Sequence, residues 1–472
     1  TYYIREKQTN TSFGNRYVNI LDGKYIKIKV KVNGNGVIDI LDNEDEKNDD
    51  YYEVYEDGKT QKVTDDNILK YISVKSHDED GDGVYTIDVQ VINPIRYEID
   101  IITLDTLGNF LNDTNVTLYK DENDGRKELF TGNATDVNKI KKVEKVEIPA
   151  EAGTYTYYVK ENQAKSERYV NVIDGRYIKI QLTVNSNGML TVTNELYEGD
   201  LGKGTKVETG SVFNYYSVEA DNSSKEDVSR LNITLINPVK FVMEVDKYDT
   251  AENPLNGTTF EIESPIIGSQ KHEHNNAKIS GIADDGITSN GVITGVTDNA
   301  IEKSPNGNMQ RARISYEETW VDANKTDNDY YTYIIKETKT SGAQYVNILE
   351  GYQIVLKVHV DAEGNLALKE TNGRNYEIVK VDAKAENITD EVYKYVKINV
   401  SNNKILATLN TEVINPVRYN IAVYQTIYGD EKIKLKNIPV EIQSEFSGNT
   451  TLVTDENGYT SMEEKAVWEG KY

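Results

Sequence analysis

The hydrophobic pattern along the chain has period two. Tyr25-Ile26-Lys27-Ile28-Lys29-Val30-Lys31-Val32 puts Ile26, Ile28, Val30 and Val32 on one face and lysines on the other. Alternation sustained over eight residues predicts a half-buried β-strand. The pattern recurs with Ile178, Ile180, Leu182 and Val184, and again with Ile354, Leu356, Val358 and Val360. Each run meets a turn, at Asn33-Gly34, Asn187-Gly188 or Glu363-Gly364-Asn365, and a short second apolar run follows at 37–40, 189–192 or 366–368. Three β-hairpins are expected. Helical periodicity is nearly absent, and only 136–145 and 383–393 have the character to carry a turn or two. Many short strands with one wet face, separated by Asn/Asp/Gly turns, predict an all-β chain of antiparallel β-sandwiches of immunoglobulin-like or prealbumin-like type.

The strands sit inside a longer repeat. Tyr-Val-Asn-(Ile/Val)-(Leu/Ile)-(Asp/Glu)-Gly occurs at 17–23, 169–175 and 345–351. Before it stand Tyr2-Tyr3-Ile4-Arg5-Glu6, Tyr157-Tyr158-Val159-Lys160-Glu161 and Tyr333-Ile334-Ile335-Lys336-Glu337; after it come Ile-Asn-Pro triplets ending at Pro94, Pro238 and Pro416. Asn93 and Asn237 are 144 positions apart, and Asn237 and Asn415 are 178 apart. A period this long means whole domains in tandem. The expected division is a partial module at 1–93, complete modules at 94–238 and 239–416, and a partial module at 417–472. The two partial stretches together have one module's length. The chain therefore reads either as a window on a longer array or as a subunit whose tail completes the head of the next copy, a contact that propagates into filaments. Proline ends each module's last strand, because it cannot continue the ladder, and the next strand starts at once. Such short joints predict a semi-rigid rod. The extra length of 239–416 falls near 264–310, a Gly/Asn/Ser-rich stretch that reads as a surface excursion, with a ligand-contacting loop as the sharper alternative.

Composition narrows the function. The chain has 34 Tyr against 7 Phe and 2 Trp, and tyrosine suits strands whose rings pack while the hydroxyls reach water. With 78 acidic and 53 basic residues the net charge is −25, which argues against a nucleic-acid partner. No apolar run is long enough to span a membrane. Cysteine is absent, so disulfides cannot staple these modules and any covalent reinforcement must use other chemistry.

Val245-Asp246-Lys247-Tyr248-Asp249 followed by Asn253-Pro254-Leu255-Asn256-Gly257-Thr258-Thr259-Phe260 resembles the opening strand pair of collagen-adhesin B-type (CnaB, SpaA-like, prealbumin-like) domains. Thr454-Asp455-Glu456-Asn457-Gly458 with Gly470-Lys471-Tyr472 is similar to the family's middle, Tyr333–Glu337 to its Glu-bearing strand, and Val413-Ile414-Asn415 to its closing strand. The resemblance implies stalk domains of Gram-positive pili and adhesins. Many such domains carry an internal isopeptide bond between a first-strand Lys and a last-strand Asn, assisted by a buried acid. Carried over by position, the trio is Lys247, Asn415 and Glu337. The 94–238 module keeps Glu161 and Asn237, and the first stretch keeps Glu6 and Asn93. The lysine's equivalent falls near Thr103 in the one and near Val423 in the last stretch, so no such bond is expected there. Asn415 could alternatively serve the Asn-Pro turn, and Glu337 could be an ordinary strand-edge carboxylate.

Other candidates are weaker. Asp78, Asp80 and Asp82 resemble the start of a calcium loop, but position 89, where a bidentate Glu is needed, is Val89, so a polar hairpin tip is favoured over a calcium site. His272 and His274 lack a third ligand nearby in sequence. Sequons at Asn10, Asn112, Asn115, Asn133 and Asn222 matter only in a glycosylating host. No nucleophile–base constellation is recognisable, so no enzyme and no cofactor are expected. The resulting expectation is the structural repeat region of an extracellular, cell-surface bacterial fibre, pilus-like filament or adhesin stalk. Its partners would be copies of itself head to tail or further repeats of the chain. The alternative is an adhesin region that binds a host or matrix ligand through 264–310 or the Tyr-rich strands.

Overall fold

The computed structural model describes residues 1–7, 16–40, 52–59, 61–78, 81–123, 125–133, 141–142, 151–223, 228–267, 270–271, 278–280, 292–304, 307–326, 328–381, 390–403, 405–444 and 448–466. The chain is nearly all β, with single-turn helices at Asp66–Leu69 and Asp390–Tyr393. The second lies at the end of a segment expected to carry a helical turn. In the other such segment the described residues, Lys141–Lys142, pair as a strand with Ile101 and Asp100. The chain forms two compact units: 1–104 with 108–165 and 171–237, and 105–107 with 166–170 and 238–472.

The first unit contains a sandwich of two sheets. One runs Gly125–Asn133, Asn115–Glu122, Gly153–Gln163, Arg176–Val184, Leu190–Glu198, Thr205–Val207 in spatial order; the other runs Lys141–Lys142, Tyr97–Asp105, Ser229–Asn237, Tyr216–Asp221. Tyr157, Val159, Ile178, Ile180, Leu182, Leu231, Ile233 and Leu235 are wholly buried between them. These are the alternate positions of the period-two pattern, and their burial is what orders the strands. Residues 1–93 supply a three-stranded sheet, Tyr2–Ile4, Lys24–Ile28 and Glu53–Glu56, with a hairpin of Ile72–His77 and Thr86–Val91. Ile26, Ile28, Val54, Tyr71, Ile72 and Val74 share its core.

The second unit repeats the plan. Lys278–Ser280, Gly307–Val321, Val239–Asp249, Ala407–Asn415 and Val396–Asn402 form one sheet; Thr259–Ile267, Tyr331–Lys339, Tyr352–Val360 and Leu366–Leu368 lead the other. Val239–Asp249 and Ala407–Asn415 pair in parallel, with Val242 opposite Thr408 and Asp249 opposite Asn415. The expectation of antiparallel pairing does not extend to this ladder. Within 264–310, Asp298–Ser304 forms a hairpin with Gly307–Val321, and Val292–Val296 pairs with Thr259–Ile267.

All three expected hairpins form, each built the same way. Asn33, Asn185 and Asp361 accept the backbone N–H four residues on, from Val37 at 2.9 Å, Met189 at 2.8 Å and Asn365 at 2.7 Å. The glycine each turn requires is Gly36, Gly188 or Gly364, at φ 81°, 75° and 73°, where side chains are disfavoured. In the first hairpin this corrects the expected Asn33-Gly34 turn, since Gly36 takes the left-handed position.

Candidate functional site

Three inward-facing stripes end at one point. Along Val239–Asp249 the inward positions are Phe241, Met243 and Val245, and the next is Lys247. Along Tyr331–Lys339 they are Tyr331, Tyr333 and Ile335, then Glu337. Along Ala407–Asn415 they are Leu409, Thr411 and Val413, then Asn415. Strand alternation therefore carries three polar groups into the core in positions where apolar residues would continue each stripe. Lys247 and Asn415 are fully buried and Glu337 is nearly so.

The geometry is compact. Lys247 Nζ donates to Glu337 Oε2 at 2.7 Å, and Asn415 Nδ2 donates to Glu337 Oε1 at 2.6 Å. One carboxyl thus bridges the amine and the carboxamide. The Phe260 ring closes over Lys247, its centroid 5.7 Å from Nζ. Burial pushes the Lys247 amine down to about 8, against the pull of the Glu337 charge, so a free amine is far easier to reach than on an exposed lysine. The backbone N–H of Ile348 faces Asn415 Oδ1 at 3.5 Å.

The Tyr-Val-Asn phrase turns out to hold the acid-bearing strand in place. Asn347 Nδ2 donates to the Glu337 carbonyl at 3.0 Å, and its Oδ1 accepts from Leu349 N–H at 2.9 Å. Asn171 does the same for Glu161 and Ile173, at 2.8 and 3.1 Å. The fixed spacing of Asn347 and Asn171, each ten residues after the glutamate, was the sequence signal for this role.

The other Glu–Asn pairs are also assembled. Asn237 Nδ2 donates to Glu161 within the first unit's sandwich, and Asn93 Nδ2 donates to Glu6 Oε1 at 2.6 Å. Burial raises the Glu161 carboxyl to about 8, against the hydrogen bonds from Asn237 and the Val172 N–H. The lysine's place is taken by Thr103, whose carbonyl accepts Leu111 N–H at 2.9 Å just as that of Lys247 accepts Leu255 N–H at 3.0 Å. The corresponding bond in the last stretch runs from Leu435 N–H to the Gln425 carbonyl at 3.0 Å. The equivalent there is Gln425 rather than Val423, ten positions after Asn415 as Lys247 is ten after Asn237.

Of the calcium-loop candidates, Asp78 Oδ2 accepts Gly83 N–H at 3.2 Å and Asp82 Oδ1 accepts Val84 N–H at 2.8 Å. Both carboxylates cap the turn after the Ile72–His77 strand. Asp80, His272 and His274 lie outside the described residues, and among the described residues no cluster of three metal-ligating side chains occurs. Nor is any helix among them long and apolar enough to cross a membrane.

No protein-family model and no curated protein matches the sequence. Solved structures that the chain matches include a C-terminal fragment of the pilus adhesin SpaC from Lactobacillus rhamnosus GG, at 12% identity over 68% of this chain and 97% of that one, with a TM-score of 0.22. The major pilin subunit BcpA of Bacillus cereus matches at 10% identity over 78% and 84%, TM-score 0.23. A streptococcal ancillary pilin matches at 9% over 78% and 86%, TM-score 0.20. At these identities and scores the likeness carries no functional argument, so the residues of the site must supply it.

Proposed function

We propose that the chain is a load-bearing region of an extracellular bacterial surface fibre, pilus-like filament or adhesin stalk. On this reading it is a tandem array of β-sandwich modules at 1–93, 94–238, 239–416 and 417–472, and the third module is closed by an isopeptide bond between Lys247 and Asn415. The observation that carries it is the buried contact of Glu337 with both partners, at 2.7 and 2.6 Å.

The chemistry balances on these three side chains. The Lys247 ammonium passes a proton to Glu337, and the neutral amine attacks Asn415 Cγ, with Ile348 N–H beside the oxygen that becomes negative. Protonated Glu337 returns a proton to Nδ2 as the Cγ–Nδ2 bond breaks. The Nζ–Cγ amide forms and one ammonia leaves, with no oxidant or cofactor. A second Nζ proton leaves with the ammonia as ammonium, the third stays as the amide N–H, and Glu337 ends as it began.

The topology supports a mechanical role. In a parallel pair, the N-terminal end of Val239–Asp249 and the C-terminal end of Ala407–Asn415 lie at opposite ends of the ladder. Tension applied through the chain then loads the ladder's hydrogen bonds in shear, together, rather than unzipping them one by one. A bond from Lys247 to Asn415 short-circuits what lies between. Single-molecule stretching of the whole chain tests this: the segment between Lys247 and Asn415 should release no length, whereas an unlinked segment of that size would add roughly 550 Å. Release of that length by the wild-type chain would refute the cross-link.

A further inference from the structure

The joints carry a repeated contact that the cross-link does not use. In the first unit, Tyr17 Oη donates to the Ser186 carbonyl at 2.8 Å, and Arg16 Nη2 donates to the Asn222 carbonyl at 3.0 Å. Ser186 lies in the Asn185–Gly188 hairpin turn, and Asn222 is tied to the strand after it through a pair of 2.9 Å bonds with Leu190. Residues 166–170 belong to the second unit, and there the same pair recurs on the equivalent turn. Tyr169 Oη donates to the Ala362 carbonyl at 3.0 Å, in the Asp361–Gly364 turn. Arg168 donates to the Glu363 carbonyl at 3.1 Å, to Asn365 Oδ1 and to the Asn403 carbonyl. Asn402, beside Asn403, is bonded to Leu366 as Asn222 is to Leu190.

Both clasps also demand a bare turn. A Cβ on Gly188 would lie 3.1 Å from Arg16 Cβ and 3.2 Å from Ile95 Cγ2; one on Gly364 would lie 3.3 Å from Val239 Cβ. Each glycine thus serves twice, for its φ and for close approach. The backbone behind the pair is zipped as well: Val18 N–H donates to the Pro94 carbonyl at 2.9 Å and Arg96 N–H to the Arg16 carbonyl at 2.8 Å. Val170 and Lys240 repeat those two bonds at 2.8 and 2.9 Å.

We propose that the Arg-Tyr pair opening the Tyr-Val-Asn phrase is an interaction site whose partner is the hairpin turn of a following module, and that it fixes the bend at the joint. This rests on the tandem-module reading and names the residues that would make it rigid. The pair is specific for a turn that offers outward carbonyls and a glycine, because arginine's fork and the tyrosine hydroxyl supply only donors to those oxygens. The third phrase has Gln344 where the others have arginine. There Arg418 Nε reaches the Ala343 carbonyl at 2.6 Å.

The absence of native cysteine makes the test direct. Spin labels at Lys75→Cys and Glu219→Cys, both exposed positions of the first unit, report the distance distribution across the joint in the full chain. The wild-type background should give one narrow distribution. Arg16→Ala with Tyr17→Phe should broaden it at least twofold, and Gly188→Ala should do so independently, while the thermal transitions show that the sandwiches remain folded. A narrow distribution left unchanged by both variants overturns the clasp but leaves the tandem-module reading standing. A broad distribution in the unaltered background overturns the clasp and the semi-rigid array together.

Discussion

Replacing both Lys247 and Glu337 by neutral groups of similar size isolates what the proposed cross-link contributes. Removing only one would leave a buried charge without its partner, a defect worth several kcal/mol by itself. In Lys247→Met/Glu337→Gln no charge is stranded, and exchange of a buried ion pair for neutral side chains is close to neutral in stability. The loss is then that of the cross-link. It closes a loop of 168 positions, and the chain-entropy relation for covalent loop closure gives about 5 kcal/mol for a loop of that size. A domain of 150–250 residues shifts by about 2–4 °C per kcal/mol, so the melting transition of this sandwich should fall by about 10–20 °C. Denatured intact mass is the primary assay. The wild-type chain should be one ammonia, about 17 Da, lighter than its sequence, and the double variant should match its sequence. A wild-type chain at full sequence mass refutes the chemistry outright. A mass deficit without a difference in melting would keep the bond and refute the entropic account of what it does.

Three further outcomes follow from the same geometry. Glu161, with its carboxyl raised from 4.5 to about 8, binds its proton more tightly in the folded state. Its contribution to stability is therefore full below about pH 4.5 and is lost as pH rises through 8, by at most about 5 kcal/mol; Glu161→Gln should flatten that slope in denaturant titrations run from pH 4 to 9. Thr103→Lys places an amine on the strand position equivalent to Lys247, and should make the chain lighter by a second ammonia, which Glu161→Gln in the same chain should abolish. Asn347→Ala removes the bond to the Glu337 carbonyl, should cost about 1–3 kcal/mol, and should leave a measurable unlinked fraction in the mass spectrum; complete linkage would mean that the Glu337 strand is held without it.

The strands were readable because the inward positions are so regular: Ile178, Ile180 and Leu182, or Ile354, Leu356 and Val358, leave no other register that buries them. The trio was carried over by position from the family resemblance, and alternation explains how its members meet: Lys247, Glu337 and Asn415 each occupy the next inward slot of an apolar stripe. The strand order that brings them together was not legible. A period-two pattern says nothing of which strand lies beside which, so neither the parallel ladder of Val239–Asp249 with Ala407–Asn415 nor the pairing of Asp298–Ser304 with Gly307–Val321 was visible. The clasps were missed for a similar reason. Arg16 and Arg168 sit in polar, turn-rich sequence, and their acceptors are backbone carbonyls some two hundred positions away, which have no sequence signature.

The unequal distribution of the lysine separates two roles that the site combines. Glu6–Asn93 and Glu161–Asn237 make the same carboxyl–carboxamide bond as Glu337–Asn415, so that bond does not depend on cross-linking. It satisfies two buried polar groups at the point where the last strand meets the Asn-Pro turn, and an asparagine without its glutamate there would be left with an unmet donor in the core. Each sandwich therefore keeps an acid poised against a carboxamide for structural reasons alone. In the proposed chemistry the pair becomes a reactive site through one inward residue on the first strand, Lys247 in place of Thr103. The proposed cross-link is thus a single-position property of a scaffold that is already assembled. For that reason Thr103→Lys, which leaves Glu161 and Asn237 in place and gives up only the Thr103 hydroxyl's bond to the Leu111 carbonyl, tests the chemistry more sharply than any variant that dismantles the existing site.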